Sequence, residues 1–461
     1  STMFGYFESV ANDSFKRLIE PAVQRDIRNE LTEKAENQAV YVFANNLRNL
    51  LLQPPVKDKI VLGIDPAYRT GCKWAVIDET GKMLEVGVVY PTMPQAKIAE
   101  AEIELERVIR KYGVSLICIG NGTASRETEQ FVADLINKLD DLKLAYIIVN
   151  EAGASVYSAS PIAAKEFPDL DVSERSAVSI ARRLQDPLAE LVKIEPQSIG
   201  VGQYQHDINA KVLSEKLSNV VESVVNYVGV DLNTASVELL SYVAGVNSSV
   251  AKNIVDYRSS QGRFKNRAEL LKVKKLGAKT FEQCAGFLRI NEGDNPLDKT
   301  AIHPESYHIA EKVLEMCGIS IDDIGSPAIN EKLRNLNLPE LANSIGAGLP
   351  TLKDVIENLM KPGRDPREDL PLPVFRQDVL NIEDLKPGME LKGTVLNVVD
   401  FGAFIDIGLK ESGLVHISEL ADHYVRHPLD VVSVGDIVDV KVLSVDQERG
   451  RISLSMKDVG R

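Results

Sequence analysis

Cysteine is scarce in this sequence, and the few cysteines do not form a metal-binding pattern. They are Cys72, Cys118, Cys284 and Cys317, and none belongs to a CxxC pair. Their scatter excludes a zinc ribbon and a disulfide framework, and it favours a reducing compartment such as the cytoplasm. The sequence also lacks a run of 18 apolar residues and a charged-then-apolar leader, so we expect neither a membrane span nor a secretion signal.

Basic residues are also fewer than acidic ones. The 53 Lys and Arg residues face 67 Asp and Glu residues, so the formal net charge is −14. Any binding to nucleic acid or to a membrane must therefore use a local basic patch. A hydrophobic fraction of 44% is ordinary for globular proteins, and 461 residues are enough for about three domains. The chain opens Ser1-Thr2-Met3 and enters a helical pattern at once, so we expect an N-terminal portion to be missing.

The first half of the chain has the pattern of helices followed by a layered α/β unit. Apolar residues recur at helical spacing over residues 4–53 until Pro54-Pro55 ends the pattern, which predicts a pair of packing helices. From residue 57 the period changes, and three strands in a row precede alternating helices and strands up to residue 199. This order predicts a mixed sheet with helices on both faces, and a last helix over 176–192.

The second half is mostly helical and ends in short strands. We predict a connecting helix over 200–228, two helix–turn–helix repeats over 229–291, a helical region over 292–360, a proline-rich extended linker over 361–385 and five strands over 386–461. A closed barrel lets such strands avoid exposed edges. Gly200-Val201-Gly202 lacks a preceding strand and a third glycine, and His206 lacks a second ligand, so we predict no dinucleotide site, metal or cofactor.

The repeats over 229–291 hold the one concentrated basic segment, with ten Lys and Arg residues against five acids. Gly245-Val246-Asn247 and Lys275-Leu276-Gly277 each stand before a helix, and both resemble the helix-hairpin-helix motif, in which a glycine turn lets backbone N–H groups approach a phosphate. The family turn is Gly-hydrophobic-Gly, so Asn247 and Lys275 depart from it, and we expect Asn247 to tolerate a positive φ. Either both hairpins bind, or one is scaffold only. The candidate contacts are Gly245, Val246, Asn247, Lys274, Lys275, Gly277 and Lys279.

The C-terminal strands contain the most specific motifs. These are Asp400-Phe401-Gly402-Ala403-Phe404, Gly413-Leu414-Val415-His416-Ile417-Ser418 and Arg449-Gly450-Arg451-Ile452-Ser453. In this order they resemble the S1-type RNA-binding domain, an OB-fold. The resemblance implies a nucleic-acid face at Phe401, Phe404, His416, Asp446 and Arg451, with Lys392 as a phosphate contact. Residues 387–461 hold eight Lys and Arg residues against twelve acids, so charge attracts nucleic acid only weakly here. We therefore expect stacking of bases on Phe401 and Phe404 to dominate binding. The alternative is that these two rings belong to the barrel core.

The α/β unit offers candidate catalytic carboxylates. Asp65 ends the first strand, and Glu151 follows the last. The order of strands and helices resembles the ribonuclease H-like fold of the YqgF branch, relatives of Holliday-junction resolvases. The resemblance implies three or four carboxylates around two divalent metals, but Asn121 and Ser176 stand where two of them belong.

We therefore predict that this unit has no catalytic metal site and no nuclease activity. Asp171 or Glu174 could replace the acid that is missing at Ser176 only if the start of the last helix shifts. Two carboxylates alone bind a metal weakly. A divalent-metal nuclease that acts on structured nucleic acid through Asp65 and Glu151 is the alternative.

The order of the parts is more specific than any single part. It also includes Asn295-Pro296-Leu297-Asp298 and Ala301-Ile302-His303-Pro304-Glu305. Over essentially the whole chain this order resembles the bacterial Tex family of transcription accessory proteins. The resemblance implies a non-catalytic cytoplasmic factor that binds RNA or DNA with little sequence preference and acts with RNA polymerase, without contact to membranes. A pure protein-interaction platform is a further alternative.

Overall fold

One long helix opens the chain. The computed structural model describes residues 2–200, 208–370, 372–376, 382, 385–409, 411–447, 449–457 and 459, so Val201, Gly202 and His206 lie outside the described residues. Helix α1 (Thr2–Ser14) continues through a π-helical turn (Phe15–Ile19) into helix α2 (Glu20–Leu51). The chain therefore begins with one continuous element.

This continuity differs from the predicted pair of packing helices. The π-helical turn ends two residues before Pro21, whose missing N–H it accommodates, so the helix continues without a break. Exposed apolar side chains, among them Phe7, Leu18 and Leu31, follow the helix, and burial starts at Val40. Only the last turns of α2 pack against other described elements, chiefly the helix that follows the α/β unit.

A mixed five-stranded sheet forms the centre of the α/β unit. Its strands are β1 (Val61–Asp65), β2 (Cys72–Ile77), β3 (Met83–Val89), β4 (Leu116–Gly120) and β5 (Ala145–Val149). They stand in the order β3-β2-β1-β4-β5, with β1, β2 and β3 antiparallel and β1, β4 and β5 parallel. The predicted three-strand meander and the later parallel strands are confirmed.

Helices cover both faces of this sheet. They are α3 (Ile98–Tyr112), α4 (Ser125–Lys138), α5 (Ala154–Ser158), α6 (Pro161–Glu166), α7 (Val172–Gln185) and α8 (Pro187–Leu191). One hydrophobic core joins the sheet to α3 and α4, and a second core joins it to α7. The single helix predicted over 176–192 is wrong, because Pro187 cannot continue α7 and Asp186 caps the next helix instead.

Glycines in the strands allow close packing on both sides of the sheet. Gly63 of β1 faces α7, where an added Cβ would lie 2.6 Å from the Ala177 carbonyl oxygen and 2.7 Å from Ala181 Cβ. On β3, an added Cβ at Gly87 would lie 2.5 Å from the ring of Trp74, which is 1% exposed. Helix α7 therefore lies directly on β1, at the strand that ends with a candidate catalytic residue.

Short helices and a small parallel strand pair follow the sheet. They are α9 (Ala210–Val228), β6 (Val230–Asp231), α10 (Val237–Leu240), α11 (Ser248–Gln261), α12 (Ala278–Cys284) and β7 (Leu288–Arg289). One hydrophobic core joins these elements to the last turns of α2. Helices α10 and α11 form the first predicted helix–turn–helix repeat, and a 3-10 helix (Arg267–Lys272) forms the second with α12.

Four further helices form the predicted helical region. They are α13 (Tyr307–Met316), α14 (Pro327–Arg334), α15 (Leu338–Ile345) and α16 (Leu349–Met360), and they share a core of their own. The proline-rich stretch that follows differs from the extended linker that we predicted. Arg367 in this stretch is 3% exposed and forms ion pairs of 2.8 Å with Asp186 and with Asp365, so these residues pack on the α/β unit.

Five strands close into a barrel at the C-terminal end of the described chain. They are β8 (Glu390–Val399), β9 (Gly402–Asp406), β10 (Gly413–His416), β11 (Ile437–Asp446) and β12 (Arg451–Ser455). Their order around the barrel is β10-β12-β11-β8-β9. The predicted fold class, an α/β sheet unit, helical hairpins and a small β-barrel, is confirmed. Among the described helices, none has the length and apolar character that crossing a bilayer requires.

Candidate nucleic-acid interface

The outer surface of the barrel carries a row of side chains across three strands. Phe404 of β9 pairs with Leu414 of β10, which pairs with Ser453 of β12. All three are at least partly exposed, whereas the neighbours of each along its strand are buried. Because alternate residues of a strand share a face, His416 on β10 and Arg451 on β12 lie on the same outer surface. The barrel therefore brings three of the predicted contacts together.

Phe401 adds a second ring to this surface. It stands directly before β9 and is 51% exposed. Its ring centroid lies 6.2 Å from that of Phe404, with the ring planes at 86°, an edge-to-face contact. An added Cβ at Gly402 would collide with the Val415 carbonyl oxygen, so the entry into β9 requires glycine. Neither ring belongs to the barrel core. We call Phe401, Phe404, Leu414, His416, Arg451 and Ser453 the barrel face.

Hydrogen bonds hold His416 and a further predicted contact, Asp446. The His416 Nδ1 atom lies 2.9 Å from the Ser418 hydroxyl oxygen, which holds the imidazole at the end of β10. The Asp446 carboxylate accepts a hydrogen bond of 3.0 Å from the Arg449 backbone N–H and thereby closes the turn into β12. Both side chains therefore have a partner in the protein, His416 on the barrel face and Asp446 in the turn.

Lys392 lies away from the two rings. Its ammonium nitrogen forms an ion pair of 3.0 Å with Asp439, its neighbour across β8 and β11. Asn397, five positions further along β8, is the residue that pairs with Phe404. At the rise of a β-strand, five positions separate Lys392 from this row by about 16 Å. The structure therefore does not bring Lys392 together with the barrel face.

The first hairpin turn differs from our expectation in its backbone. Gly245 has a φ of +80°, and an added Cβ there would lie 2.8 Å from Gln283 Cβ. Asn247 has a φ of −89°, so the expected positive φ at this residue is wrong. Its side chain instead accepts a hydrogen bond of 3.0 Å from the Val250 N–H and caps α11. Val246 between them is buried and packs in the core.

The second hairpin turn has the same geometry with a different residue. Lys275 occupies the position that Gly245 has in the first turn, and its φ is +66°. Gly277 is the N-cap residue directly before α12, as Asn247 is directly before α11. The Lys275 ammonium donates a hydrogen bond of 2.9 Å to the Ser249 hydroxyl of α11, so the two hairpins contact each other. Lys274 and Lys279 flank the turn and are exposed. The exposed lysines therefore gather at the second turn.

Only half of the basic residues in this segment are both exposed and free of the contacts that hold the fold. Arg258, Arg267 and Arg289 donate hydrogen bonds to backbone carbonyl oxygens. Arg263 and Lys272 form ion pairs with acids at 3.0 Å and 3.4 Å. Within the described part of the segment, the exposed side chains that form no ion pair are Lys252, Lys265, Lys274, Lys275 and Lys279. Fewer basic side chains can therefore contact a ligand than the ten Lys and Arg residues in the sequence of this segment.

The predicted carboxylates of the α/β unit lie close enough to affect one another. Burial raises the pKa of Asp65, while a hydrogen bond with Ser176 and the charge of Lys73 oppose the rise. Burial, followed by the charge of Asp65, raises the pKa of Glu151. The Glu151 backbone N–H donates a hydrogen bond of 3.1 Å to the Asn121 side chain. The site thus combines two carboxylates with a hydroxyl, an amide and an ammonium group.

The two alternative acids of this site are already engaged in a helix cap. The Asp171 carboxylate accepts a hydrogen bond of 2.8 Å from the Glu174 N–H, and the Glu174 carboxylate accepts one of 2.9 Å from the Asp171 N–H. This reciprocal cap fixes the start of α7 at Val172. Across the described residues, no group of three or more His, Cys, Asp or Glu side chains is arranged to hold a metal ion.

Comparison with known families assigns most of these parts. The description "Tex protein YqgF-like domain" matches residues 59–185, "Helix-hairpin-helix motif" matches 225–289, "HHH domain" matches 295–367 and "S1 RNA binding domain" matches 384–457. The transcriptional accessory protein Tex of Neisseria gonorrhoeae is 51% identical over 437 residues, which are 95% of this chain and 57% of that protein. Over nearly its whole length the chain is similar to Tex proteins. The sequence-based recognition of this family is confirmed.

Two other relatives match this chain over a similar share of their own length. The uncharacterized protein YdcI of Bacillus subtilis is 59% identical over 449 residues, 97% of this chain and 62% of that protein. The human S1 RNA-binding domain-containing protein 1 is 41% identical over 505 residues, 96% of this chain and 50% of that protein. This chain therefore spans between 50% and 62% of the length of these three relatives.

The match over 295–367 identifies a unit that our sequence analysis described only as helical. Its signal is present in the sequence as Gly346-Ala347-Gly348, a Gly-hydrophobic-Gly turn between α15 and α16. Gly346 has a φ of +75°, and Gly348 stands directly before α16. This turn follows the family pattern more closely than either of the hairpins that we singled out.

Proposed function

We propose that this chain is a nucleic-acid-binding transcription accessory factor of the cytoplasm. It binds RNA or DNA through the barrel and the helical hairpins with little sequence preference, and it acts with RNA polymerase. The observation that carries the proposal is the pair of rings on the barrel face, of which Phe401 is exposed and Phe404 is partly exposed. The S1 and helix-hairpin-helix matches and the name of the gonococcal relative, a transcriptional accessory protein, support it.

The two parts of the interface act through different forces. On the barrel face, unpaired bases stack on Phe401 and Phe404, and each stacked base contributes about 1–3 kcal/mol. His416 and Arg451 supply hydrogen bonds at either side of the rings. At the second hairpin, the charges of Lys274, Lys275 and Lys279 hold phosphates, which positions the backbone and reads no bases. Stacking therefore sets the affinity for single strands, and the lysines set its dependence on salt.

The barrel face is tested by changing Phe401→Ala together with Phe404→Ala. Loss of both stacking surfaces weakens the affinity for a single strand by about tenfold or more, because at least one stacked base is lost. The slope of log affinity against log salt stays the same, since no charge is removed. Tyr424→Ala, an aromatic residue that is 90% exposed in a loop of the same domain, is the matched control and leaves the affinity unchanged.

The hairpin lysines are tested by reversing the charges of Lys274, Lys275 and Lys279. Each lost phosphate contact reduces the salt slope by about 0.7 to 0.9, whereas stacking on the barrel face persists. Fluorescence anisotropy with matched RNA, single-stranded DNA and duplex DNA at several salt concentrations measures both quantities. If this variant and the double phenylalanine variant changed affinity and slope equally, the proposed division would be refuted.

We further propose that the α/β unit is not a nuclease. A two-metal nuclease site requires three or four converging carboxylates, and here Asn121 and Ser176 accompany Asp65 and Glu151. Lys73 adds a positive charge that opposes the binding of a cation beside Asp65. The residues present therefore do not fit the metals that the fold family implies.

This second proposal is tested with Mg²⁺ or Mn²⁺ and a labelled four-way junction. We expect no cleavage above the buffer rate by the unmodified chain. Cleavage that required the metal and disappeared with Asp65→Ala would establish the nuclease instead. A variant outside the site, Asp169→Ala, controls for nonspecific effects, since Asp169 is exposed on the loop before α7.

A further inference from the structure

A basic groove lies between the helical hairpins and the last helical region, and none of the contacts above includes it. The cavity measures about 500 Å³ and opens between the end of α9, β7 and the end of α16. We define the Arg289 groove by six of its lining residues, Tyr227, Arg289, Asn330, Arg334, Lys361 and Arg364. Glu357 and Asp369 also line the cavity, so basic side chains outnumber acids by four to two in a chain of net charge −14.

Arg289 lines this groove, and one of its guanidinium donors has no partner in the protein. Its Nη1 atom donates a hydrogen bond of 2.8 Å to the Arg364 carbonyl oxygen, and an added Cβ at Gly229 would lie 2.6 Å from its Nε atom. The Nε atom is buried and has no hydrogen-bond partner. Burial, followed by the charge of Arg267, lowers the pKa of Arg289. A buried and incompletely paired guanidinium is costly, and an anion bound in the groove would offset part of this cost through its charge.

Two further cations stand at the groove without acidic partners. Arg334 at the end of α14 and Lys361 after α16 are both exposed, and within the described residues neither forms an ion pair. Arg364, in contrast, is paired with Asp369. The positive charge available to a ligand therefore comes from Arg289, Arg334 and Lys361.

The groove also presents an aromatic ring and an unpaired acceptor. Tyr227 is 55% exposed, and the guanidinium carbon of Arg48 lies 5.9 Å from its ring centroid. Arg48 also donates a hydrogen bond of 3.4 Å to the Ser223 hydroxyl, which helps to hold it over one face of the ring and leaves the other face for a base. The Asn330 Oδ1 atom is buried and has no partner. A ligand that matches these groups combines a phosphate, a flat ring and a hydrogen-bond donor.

We propose that the Arg289 groove binds one nucleotide unit of a single-stranded nucleic acid. The phosphate contacts Arg289, Arg334 and Lys361, and the base stacks on Tyr227. Asn330 accepts a hydrogen bond from the base or the ribose. This inference rests on the proposed nucleic-acid-binding function and adds a third contact, separate from the barrel face and the hairpin turns. A strand held at several such points is retained although each contact is modest.

The test compares two charge-reversal variants in the same helical region. Arg334→Glu with Lys361→Glu changes the groove, whereas Lys332→Glu with Lys353→Glu makes the same charge change at exposed positions on α14 and α16 that do not line it. Binding of a labelled single-stranded RNA is measured over a salt series. We expect the groove variant to weaken binding about tenfold or more and to reduce the salt slope by about 0.7 per lost phosphate contact. The control variant keeps the unmodified affinity and slope.

A third variant, Tyr227→Ala, tests the ring without changing charge. We expect a loss of affinity of at least about fivefold with an unchanged salt slope, as for a lost stacking contact. Circular dichroism of each variant establishes that it is folded. If the groove variant and Tyr227→Ala bound RNA as the unmodified chain does, the groove would not be a strand contact.

The outcomes separate this inference from the function on which it rests. Absence of RNA binding by the unmodified chain would overturn both. Normal RNA binding that depends on Phe401 and Phe404 but not on the groove would overturn the groove alone. Calorimetry with AMP and with inorganic phosphate distinguishes a strand from a free nucleotide or ion. Binding of AMP that is lost in the groove variant, with RNA affinity unchanged, would identify a nucleotide site and would also overturn the proposal.

Discussion

At the scale of single residues, the environment of each arginine decides whether it binds a ligand or holds the fold. Arg267 is 1% exposed although it belongs to the basic segment. Its guanidinium donates hydrogen bonds of 2.6–2.7 Å to the carbonyl oxygens of Leu288, Thr300 and Ile302 and to the Tyr307 hydroxyl. Arg267 therefore connects β7 with the chain before α13, and it is unavailable to phosphate.

We predict that Arg267→Met destabilises the protein strongly. The change removes a buried charge and leaves several buried acceptors without donors, at a cost of about 3–5 kcal/mol. The shift of the urea unfolding transition, followed by circular dichroism, measures this cost. Arg263→Met is the control: its ion pair with Glu292 is exposed, so the change stays within about 0.5 kcal/mol. Equal losses in the two variants would contradict this prediction.

The buried carboxylates predict an unusual dependence of stability on pH. The folded-state pKa of Asp65 lies above its ordinary value of 3.8 because of burial, so the fold favours the protonated form. The stabilisation of the folded state by protonated Asp65 is fully present below that ordinary pKa. It is lost as the pH rises through the raised pKa of the folded state. Asp65→Asn, which stays neutral, should therefore stabilise the protein at about pH 7 by about 0.5–2 kcal/mol.

Thermal unfolding midpoints as a function of pH measure this effect. The advantage of Asp65→Asn should shrink as the pH falls to about 3, where the carboxyl group of the unmodified chain is protonated in both states. Asp169→Asn, at an exposed position, should give no advantage at either pH. A gain that is constant over the whole pH range would contradict the burial argument.

At the scale of elements, the two hairpin turns use the same backbone with different residues. Gly245 and Lys275 both have a positive φ, which costs a residue with a side chain about 1–2 kcal/mol. Glycine is free of this cost at the first turn. At the second turn the cost accompanies a lysine whose ammonium contacts Ser249 and stands beside Lys274. A lysine at a position that favours glycine agrees with the binding role proposed above for the second turn.

We predict opposite effects on stability from two substitutions at these turns. Gly245→Ala should destabilise the protein by about 1–2 kcal/mol, because it combines a positive φ with a Cβ 2.8 Å from Gln283. Lys275→Gly should leave the stability unchanged or raise it by up to about 1 kcal/mol, and it should reduce the salt slope of nucleic-acid binding by about 0.7–0.9. Unfolding and binding series on both variants measure these changes. Weaker stability in Lys275→Gly would contradict this account.

At the scale of the whole molecule, Arg376 connects the barrel to the α/β unit. Its backbone N–H and C=O groups pair with those of Tyr146 at 2.8 Å, which adds it to the edge of β5. Its guanidinium forms ion pairs of 3.0 Å with Asp406 of the barrel and 3.7 Å with Glu129 of α4. Arg376 therefore helps to hold the barrel against the sheet.

We predict that Arg376→Ala loosens this connection without unfolding either unit. Both ion pairs are lost while the backbone pairing remains, so cleavage by a protease between the sheet and the barrel should become several times faster, as expected for a less ordered connection. Limited proteolysis with mass spectrometry of the fragments measures the rate. Lys386→Ala, an exposed residue at the start of the barrel, should leave the rate unchanged. A rate that is equal in the two variants would show that the ion pairs do not hold the barrel.

The sequence predicted the strands, the barrel and the family, because periodicity and glycine turns are local signals. It did not predict which charges find partners, since Arg267, Arg367 and Lys392 meet groups far away in the chain. The hairpin at Gly346-Ala347-Gly348 was available in the sequence and was missed for lack of adjacent basic residues. The Arg289 groove required the structure, because its lining comes from α9, β7, α14 and the chain after α16.

The burial of Trp74 has a practical consequence for spectroscopy. It is the single tryptophan of the chain, and it is packed against Gly87 inside the five-stranded sheet. The 13 tyrosines, in contrast, are spread along the sequence from Tyr6 to Tyr424. Emission excited at the red edge of the absorption band therefore comes from one unit only. Without any label, the melting of the sheet is observable separately from that of the hairpins and the barrel.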